Sequence, residues 1–306
     1  MKGVRFAPSP TGLFHIGNLR TAWVSHRIAE ILNEPWILRI EDIDTARVKN
    51  EFRARQLQDL AALDLIPDEI VTQSEHSERH FELFEKARRD GLIYPCDCSR
   101  KDVLESLLRL REAPHLAAPD YSGHCRLRPH HEDLTNYKPA ETLAWRWRQT
   151  DPTGRNDAIV ARTSPDGSSF SAGYHWACAT DDADGGYRVL VRAWDLASAE
   201  KVQSEIRRWM GQRGILVFHT ALVTLHSGQR LEKRTRGITF EELVQQGVST
   251  SALLAHFSAS FEEALARRTL TADQAGGPET GNMIGLMGES SRQMTLQDLG
   301  ISFSER

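Results

Sequence analysis

Apolar residues crowd positions 4–7, stop at Pro8-Ser9-Pro10-Thr11-Gly12, and then recur at helical spacing over 19–32. Pro35-Trp36-Ile37-Leu38-Arg39-Ile40-Glu41 reads as a second strand, ending in the acidic cluster Glu41, Asp42 and Asp44. Strand, helix and strand in that order predict a βαβ unit, hence a parallel sheet with ligands outside the carboxyl ends of its strands. The Pro/Ser/Thr/Gly loop and the acidic cluster both fall at that edge. Residues 51–89 carry a heavily charged helical pattern, expected to form an outer layer of helices closed by Gly91. The stretch 94–139 changes character, with Cys96, Cys98, Cys125, His115, His124, His130, His131 and several prolines, and reads as an insertion folded around its own small centre. Strand-like runs return at 143–147, 158–162 and 187–191, with Asp166-Gly167 as a hairpin turn, so the sheet is expected to resume after the insertion. A helix over 197–211, a strand over 215–225 and a helix over 240–266 follow. The Gly/Ser/Thr-rich tail from Thr271 is expected to be loosely ordered.

Composition narrows the class. The chain has 306 residues, 40% hydrophobic and 26% charged, which excludes a disordered tail, a collagen-like fibre and a membrane protein. That length predicts two or three lobes. With 38 Lys+Arg against 42 Asp+Glu the net charge is −4, so a nucleic-acid partner has to be met by a local basic patch. Met1-Lys2-Gly3-Val4-Arg5 leads straight into the proline turn and does not resemble a signal peptide. Four cysteines, three in one segment and Cys178 apart, fit a metal site in a reducing compartment, and the expected location is the cytoplasm.

Three segments carry candidate chemistry. Between Arg5 and Asn18 a strand end and a rigid turn lead to His15-Ile16-Gly17-Asn18 at the entry of a helix. Glycine lets a ligand approach the backbone, a helix N-terminus favours phosphate, and His15 can donate to a phosphate oxygen. Spacing alone equally fits a tight strand-to-helix turn with an incidental histidine. Cys96-x-Cys98 and Tyr121-x-x-x-Cys125 offer three thiolates and a phenol to one tetrahedral zinc, with Tyr121, His124 and His130 competing as fourth ligand; the bland alternative is buried, unligated cysteines. Trp145-Arg146-Trp147-Arg148 and Arg207-Arg208-Trp209 interleave basic and aromatic residues, but alternating strand faces and an amphipathic helix explain them equally, and no site is assigned there.

As a whole string, residues 5–18 resemble the first signature of the class I aminoacyl-tRNA synthetases, His-Ile-Gly-His, in the form found in the glutamyl and glutaminyl branch. Arg39-Ile-Glu41-Asp42-Ile-Asp44 resembles the same branch's following strand. The resemblance implies that Arg5, Ala7, Ser9 and Glu41 hold the amino acid, in keeping with the affinity of a carboxylate for an α-ammonium and of a guanidinium for a carboxylate. Tyr174 to Asp182, followed by Val191-Arg192-Ala193-Trp194-Asp195, resembles the second substrate-binding half, which implies that Tyr174 and Arg192 meet the glutamate side chain. The family has Gly or Ala then Glu after this arginine; here Ala193 is followed by Trp194. Arg230-Leu231-Glu232-Lys233-Arg234 stands where the second signature belongs, and by itself would read as a solvated basic loop. Lys233 matches its second lysine, which implies stabilisation of charge developing on the ATP phosphates. Arg230 and Glu232 depart from the pattern, and a carboxylate beside triphosphate opposes binding. His15 and Lys233 are thus the implied catalytic pair, and His15, Gly17, Asn18 and Lys233 the ATP-binding set. The cysteine segment is similar to the zinc site of the family's short bacterial paralogues, which implies Cys96, Cys98, Tyr121 and Cys125 around one structural Zn2+.

The implied fold is α/β, a class I synthetase Rossmann-like parallel sheet with a zinc-containing insertion and a short helical C-terminal part. The implied divisions are 1–91 and 143–240 for the halves of the catalytic domain, 92–142 for the insertion and 241–306 for the C-terminal region, with no anticodon-binding domain. The implied reaction is activation of L-glutamate by ATP with Mg2+, then transfer to the queuosine base in the anticodon stem-loop of tRNA(Asp), by a monomer with no membrane partner. Two other readings are a synthetase-like enzyme with a different acceptor, and a non-catalytic module binding tRNA or protein.

Overall fold

A computed structural model describes residues 2–99, 101–103, 121–128, 142–224, 238–273 and 293–295. They fall into two compact units: residues 1–74, 186–198 and 214–306 in the first, and 75–185 with 199–213 in the second.

The first unit is built on a parallel sheet. Strands β1 (Val4–Phe6), β2 (Trp36–Ile40), β3 (Glu69–Thr72), β8 (Val189–Ala193) and β9 (Leu216–Thr220) lie in the order β3-β2-β1-β8-β9. All four pairings are parallel. Strands β1 and β2 are buried along their whole length, as covered parallel strands are. The strand β3 falls inside the stretch whose pattern reads as continuous helix. It separates α2 (Asn50–Ala62) from α3 (Ser77–Arg89), and its short Glu-Ile-Val-Thr run lies at the sheet edge, with Ile70 about half exposed. Four residues with one hydrogen-bonded side are too few for periodicity to register.

Period-two alternation divides this sheet. Val4, Phe6, Trp36, Leu38, Ile40, Val189, Val191 and Phe218 enter one apolar core together with α1 (Ile16–Leu32). That helix begins at the His15 cap and ends where Asn33 turns left-handed at φ 50°. The long helix α7 (Thr250–Asp273) joins the same core, Trp23 meeting Phe257 and Phe261 at ring distances of 6.2 and 6.0 Å. Residues 240–266 are not one helix: α6 (Phe240–Gln245) stops before Gly247, whose φ of 85° suits glycine, and α7 starts afresh. The short strand β10 (Leu222–Thr224) pairs in parallel with β11 (Gln293–Thr295), so this part of the tail is ordered as a strand.

In the second unit β4 (Ile93–Cys96), β5 (Leu143–Trp147), β6 (Ile159–Thr163) and β7 (Phe170–Ala172) form a separate antiparallel sheet in sequence order. This corrects the expectation that 143–147 and 158–162 resume the parallel sheet; only β8 and β9 do so. Parallel strands need a crossover of a dozen or more residues, and the β6–β7 link is the short hairpin turn at Asp166-Gly167. Phe84, Trp145, Trp147 and Trp176 fill a core between this sheet and the helices α3, α4 (Tyr174–Gly185) and α5 (Glu200–Trp209). Trp209 packs on Trp147 and Trp176 and donates to Asp90, while Arg207 pairs with Glu200. The basic-aromatic run on α5 is thus the amphipathic side of a packed helix.

Truncating Leu38→Ala, fully buried at the centre of β2, is expected to cost about 2–5 kcal/mol of stability, read from urea denaturation.

Candidate active site and metal centre

The face of the parallel sheet opposite its apolar core is where the charged side chains collect. Arg5 is in register with Ile37 and Leu190, and Arg192 with His219. Register partners in a parallel sheet point the same way, so Arg5, Arg39, Arg192 and His219 share this face, together with the small cluster Ile37, Tyr187 and Leu190. Arg5, Arg39 and Arg192 are all nearly or fully buried, and Glu41, directly after β2, accepts a hydrogen bond from Arg39 Nη2 at 3.0 Å. The strand alternation thus gathers Arg5, Glu41 and Arg192, named from the sequence, and adds Arg39 and His219, which sequence reasoning passed over. Arg39 was two residues from Glu41, which in a strand is the same face; His219 had no such signal without the β8–β9 register.

His219 accepts from Arg192 Nε at 3.1 Å through Nε2. In the neutral ring its proton then resides on Nδ1. Burial first, and the Arg192 charge second, push His219 down to about 4. Trp194, the departure from the family pattern, packs against the His219 ring at 5.5 Å. Its bulk thus supports the side chain that holds Arg192.

The acidic cluster separates in space. Only Glu41 turns to the arginines; Asp42 accepts from the backbone and hydroxyl of Ser74, and Asp44 pairs with exposed Arg47. Ala7 follows β1 directly, and Ser9 lies in the half-buried loop whose backbone is fixed by Glu41 N on Pro8 O, Lys49 N on Pro10 O and the buried Gln56 amide on Gly12 O.

That loop leads to the start of α1. His15 caps the helix, its Nδ1 accepting from Gly17 N at 3.1 Å, while Asn18 Oδ1 accepts from His15 N at 3.2 Å. Since Nδ1 is an acceptor, Nε2 carries the proton of the neutral ring, which makes His15 a donor at the positive end of the helix dipole. A Cβ on Gly17 would come within 3.0 Å of the His15 ring, so glycine is what lets the imidazole fold back over the first turn. Asn18 acts through the cap. Tyr174 opens α4 in the second unit, beside the His175 ring. Arg230, Glu232, Lys233, Arg234 and Arg236 lie outside the described residues.

In the second unit Cys96, Cys98 and Cys125 bring their sulfurs within 4.8 Å of one another. The Cys98 and Cys125 sulfurs are 3.3 Å apart, and all are free thiols. Sulfurs on one tetrahedral zinc stand ~3.8 Å apart, from a Zn–S bond of about 2.3 Å. Tyr121 is fully buried, its hydroxyl 3.7 Å from Cys96 Sγ and accepting from Cys125 N at 2.8 Å. Of its rivals, His124 is exposed and His130 lies outside the described residues, as do His115 and His131. Hydrogen bonds from Cys125 and Cys98 hold the Cys96 thiol far below its ordinary value, and burial pushes the Tyr121 phenol up. The Arg146 guanidinium stacks 3.6 Å from the Tyr121 ring centre, a positive charge beside a donor set that becomes anionic on binding a cation. This set fits a soft or borderline metal.

The chain belongs to the family of class I tRNA synthetases (E and Q), whose catalytic-domain model matches residues 3–272. It is therefore an enzyme of the synthetase, or ligase, kind. It is 32% identical over 262 residues to the glutamyl-Q tRNA(Asp) synthetase of Cutibacterium acnes, covering 82% of this chain and 73% of that one. It is 31% identical to glutamate–tRNA ligase 1 of Cereibacter sphaeroides, spanning 82% of this chain but 58% of the ligase. In fold it matches the glutamate-tRNA synthetase of Elizabethkingia anophelis with a TM-score of 0.71 at 18% identity, over 97% of this chain and 69% of that one.

Between pH 6.5 and about 4 the unfolded chain protonates His219 while the folded chain leaves it neutral, so acid favours unfolding across that window. An NMR titration is expected to give this imidazole a midpoint near 4. His219→Gln, which keeps an acceptor but cannot titrate there, is expected to flatten the corresponding part of the stability–pH curve.

Proposed function

We propose that this enzyme activates L-glutamate with ATP and Mg2+, without needing tRNA, and transfers it to the queuosine base in the anticodon stem-loop of tRNA(Asp). The observation that carries this is the polar sheet face, where buried guanidinium groups and one carboxylate converge at the carboxyl edge of a parallel sheet beside a histidine-capped helix. A free amino acid needs a carboxylate for its ammonium and guanidinium for its carboxylates, and Glu41, Arg5 and Arg192 supply them. Ala7, Ser9 and Tyr174 are assigned to the glutamate by the family resemblance alone. The glutamate α-carboxylate attacks the α-phosphorus in line, forming the mixed anhydride and releasing pyrophosphate. His15 Nε2–H and the N-terminus of α1, opened by Gly17 and shaped by Asn18, hold phosphate oxygens, and Lys233 stabilises the charge that develops on them. In such a pocket charge complementarity favours an acidic amino acid over neutral ones. Similarity to glutamyl-Q tRNA(Asp) synthetases supports the acceptor. Cys96, Cys98, Tyr121 and Cys125 would hold one structural zinc, which supplies a rigid cross-link and takes no part in the chemistry. The proposed working form is a monomer in the cytoplasm.

ATP–pyrophosphate exchange scanned over amino acids, with no tRNA, is expected to respond to glutamate. Arg192→Gln is expected to weaken that response about 10- to 100-fold, mainly through a higher KM for glutamate, the scale of a lost charge-assisted contact. Labelled glutamate is then expected on tRNA(Asp) that contains queuosine and not on the same tRNA lacking it. Glutamate-dependent exchange without queuosine-dependent transfer would move the enzyme to another acceptor; no exchange by folded, metal-loaded protein would leave a binding module. Replacing zinc by Co2+ is expected to produce thiolate-to-metal charge-transfer absorption, lost in Cys98→Ser.

A further inference from the structure

A second convergence of metal-ligating groups lies in the second unit, apart from the cysteines. His76 immediately precedes α3 and His80 sits on its first turn, so the two imidazoles are spaced i, i+4. Asp181 comes from α4. His76 Nδ1 lies 3.0 Å and His80 Nε2 2.7 Å from the same Asp181 oxygen, Oδ1, and the three ligand atoms all fall within 4.8 Å of one another. His80 and Asp181 are 1% and 4% exposed, whereas His76 is 39% exposed. The reaction proposed above uses none of the three.

We propose that His76, His80 and Asp181 form a second metal site, for a borderline first-row divalent cation of which zinc is the model, tying α3 to α4. The donor set of two imidazoles and a carboxylate is one that such ions prefer over magnesium or calcium, which take oxygen. Neighbouring ligands around an ion at about 2.1 Å stand ~3.0–3.4 Å apart, so the two histidine–aspartate separations need only a few tenths of an ångström of opening. Two ligands are dry and fixed, and the third faces solvent, which gives the ion a way in and leaves coordination positions for water. The frame around them is braced independently: Arg79 on α3 pairs with Asp184 on α4 at 2.9 Å, and Trp176 on α4 donates its indole N–H to the His80 carbonyl. His80 and Asp181 are therefore presented by helices already held against each other, with His76 at the start of α3, so binding orders little that is not ordered beforehand. Binding requires both imidazoles neutral with their lone pairs on Nδ1 of His76 and Nε2 of His80, whereas a purely hydrogen-bonded triad requires protons on those same atoms.

The test is metal counting on chelator-stripped, full-length protein titrated with Co2+ at pH 7.5, where the two sites differ in colour. The wild type is expected to bind two equivalents, one with thiolate charge-transfer absorption and one without it. His76→Ala, a change at a half-exposed position, is expected to lose one equivalent and keep the thiolate band; Asp181→Asn is expected to lose the same equivalent. A wild type that binds no equivalent beyond the one with the thiolate band, or a second equivalent without that band that survives in His76→Ala, would overturn the site and leave the triad as hydrogen bonds only. The count does not depend on exchange activity, so failure of the glutamate-activating reading would not register in it.

Discussion

Everything at the proposed active site depends on the alternation of side chains along β1, β2, β8 and β9. Val4, Leu38, Val191 and Phe218 are taken into the apolar core beneath α1 and α7, so their strand neighbours Arg5, Arg39, Arg192 and His219 are forced onto the opposite face. A register slip of one residue in β1, β2 or β8 would carry a guanidinium into hydrocarbon, where the cost of an unsolvated charge far exceeds the worth of a single apolar contact. The same alternation that stabilises the fold therefore also enforces the site.

Burial then decides what these groups can do. Glu41 and Arg39 are paired at 3.0 Å, so the carboxylate is oriented before any ligand arrives, and Arg192 is held by a histidine that burial keeps neutral near pH 7. A protonated His219 would place a second positive charge against Arg192 and could no longer accept from it. Trp194, although foreign to the family pattern, is placed to maintain that state by covering the imidazole. The departure from pattern is thus accommodated within the packing of the site.

The cysteine cluster and the histidine–aspartate cluster contrast in how they are encoded. Cys96, Cys98 and Cys125 announce themselves because cysteine is scarce and its spacing is tight, and Tyr121 is separated from His124 by burial alone. The His76, His80 and Asp181 group gives no such signal, because Asp181 is a hundred residues away and joins the histidines only through the packing of α3 on α4.

Legible in the residues alone were the βαβ start, the turn at residues 8–12, the helix that follows it, the cysteine cluster and the family, because each of these is written in local residue types at short spacing. The sequence pattern misread β3 as helix, since four edge residues carry too little periodicity, and it ran the strands at 143–147 and 158–162 into the parallel sheet, since a strand's pattern does not name its partner. Its acidic cluster divides into one carboxylate paired with Arg39 and two that bond Ser74 and Arg47. Tertiary structure alone decided those pairings, the place of Arg39 and His219 beside Arg5 and Arg192, and the meeting of Asp181 with two histidines. The physical reason is that register and helix packing are set by long-range contacts, whose partners no local pattern can specify.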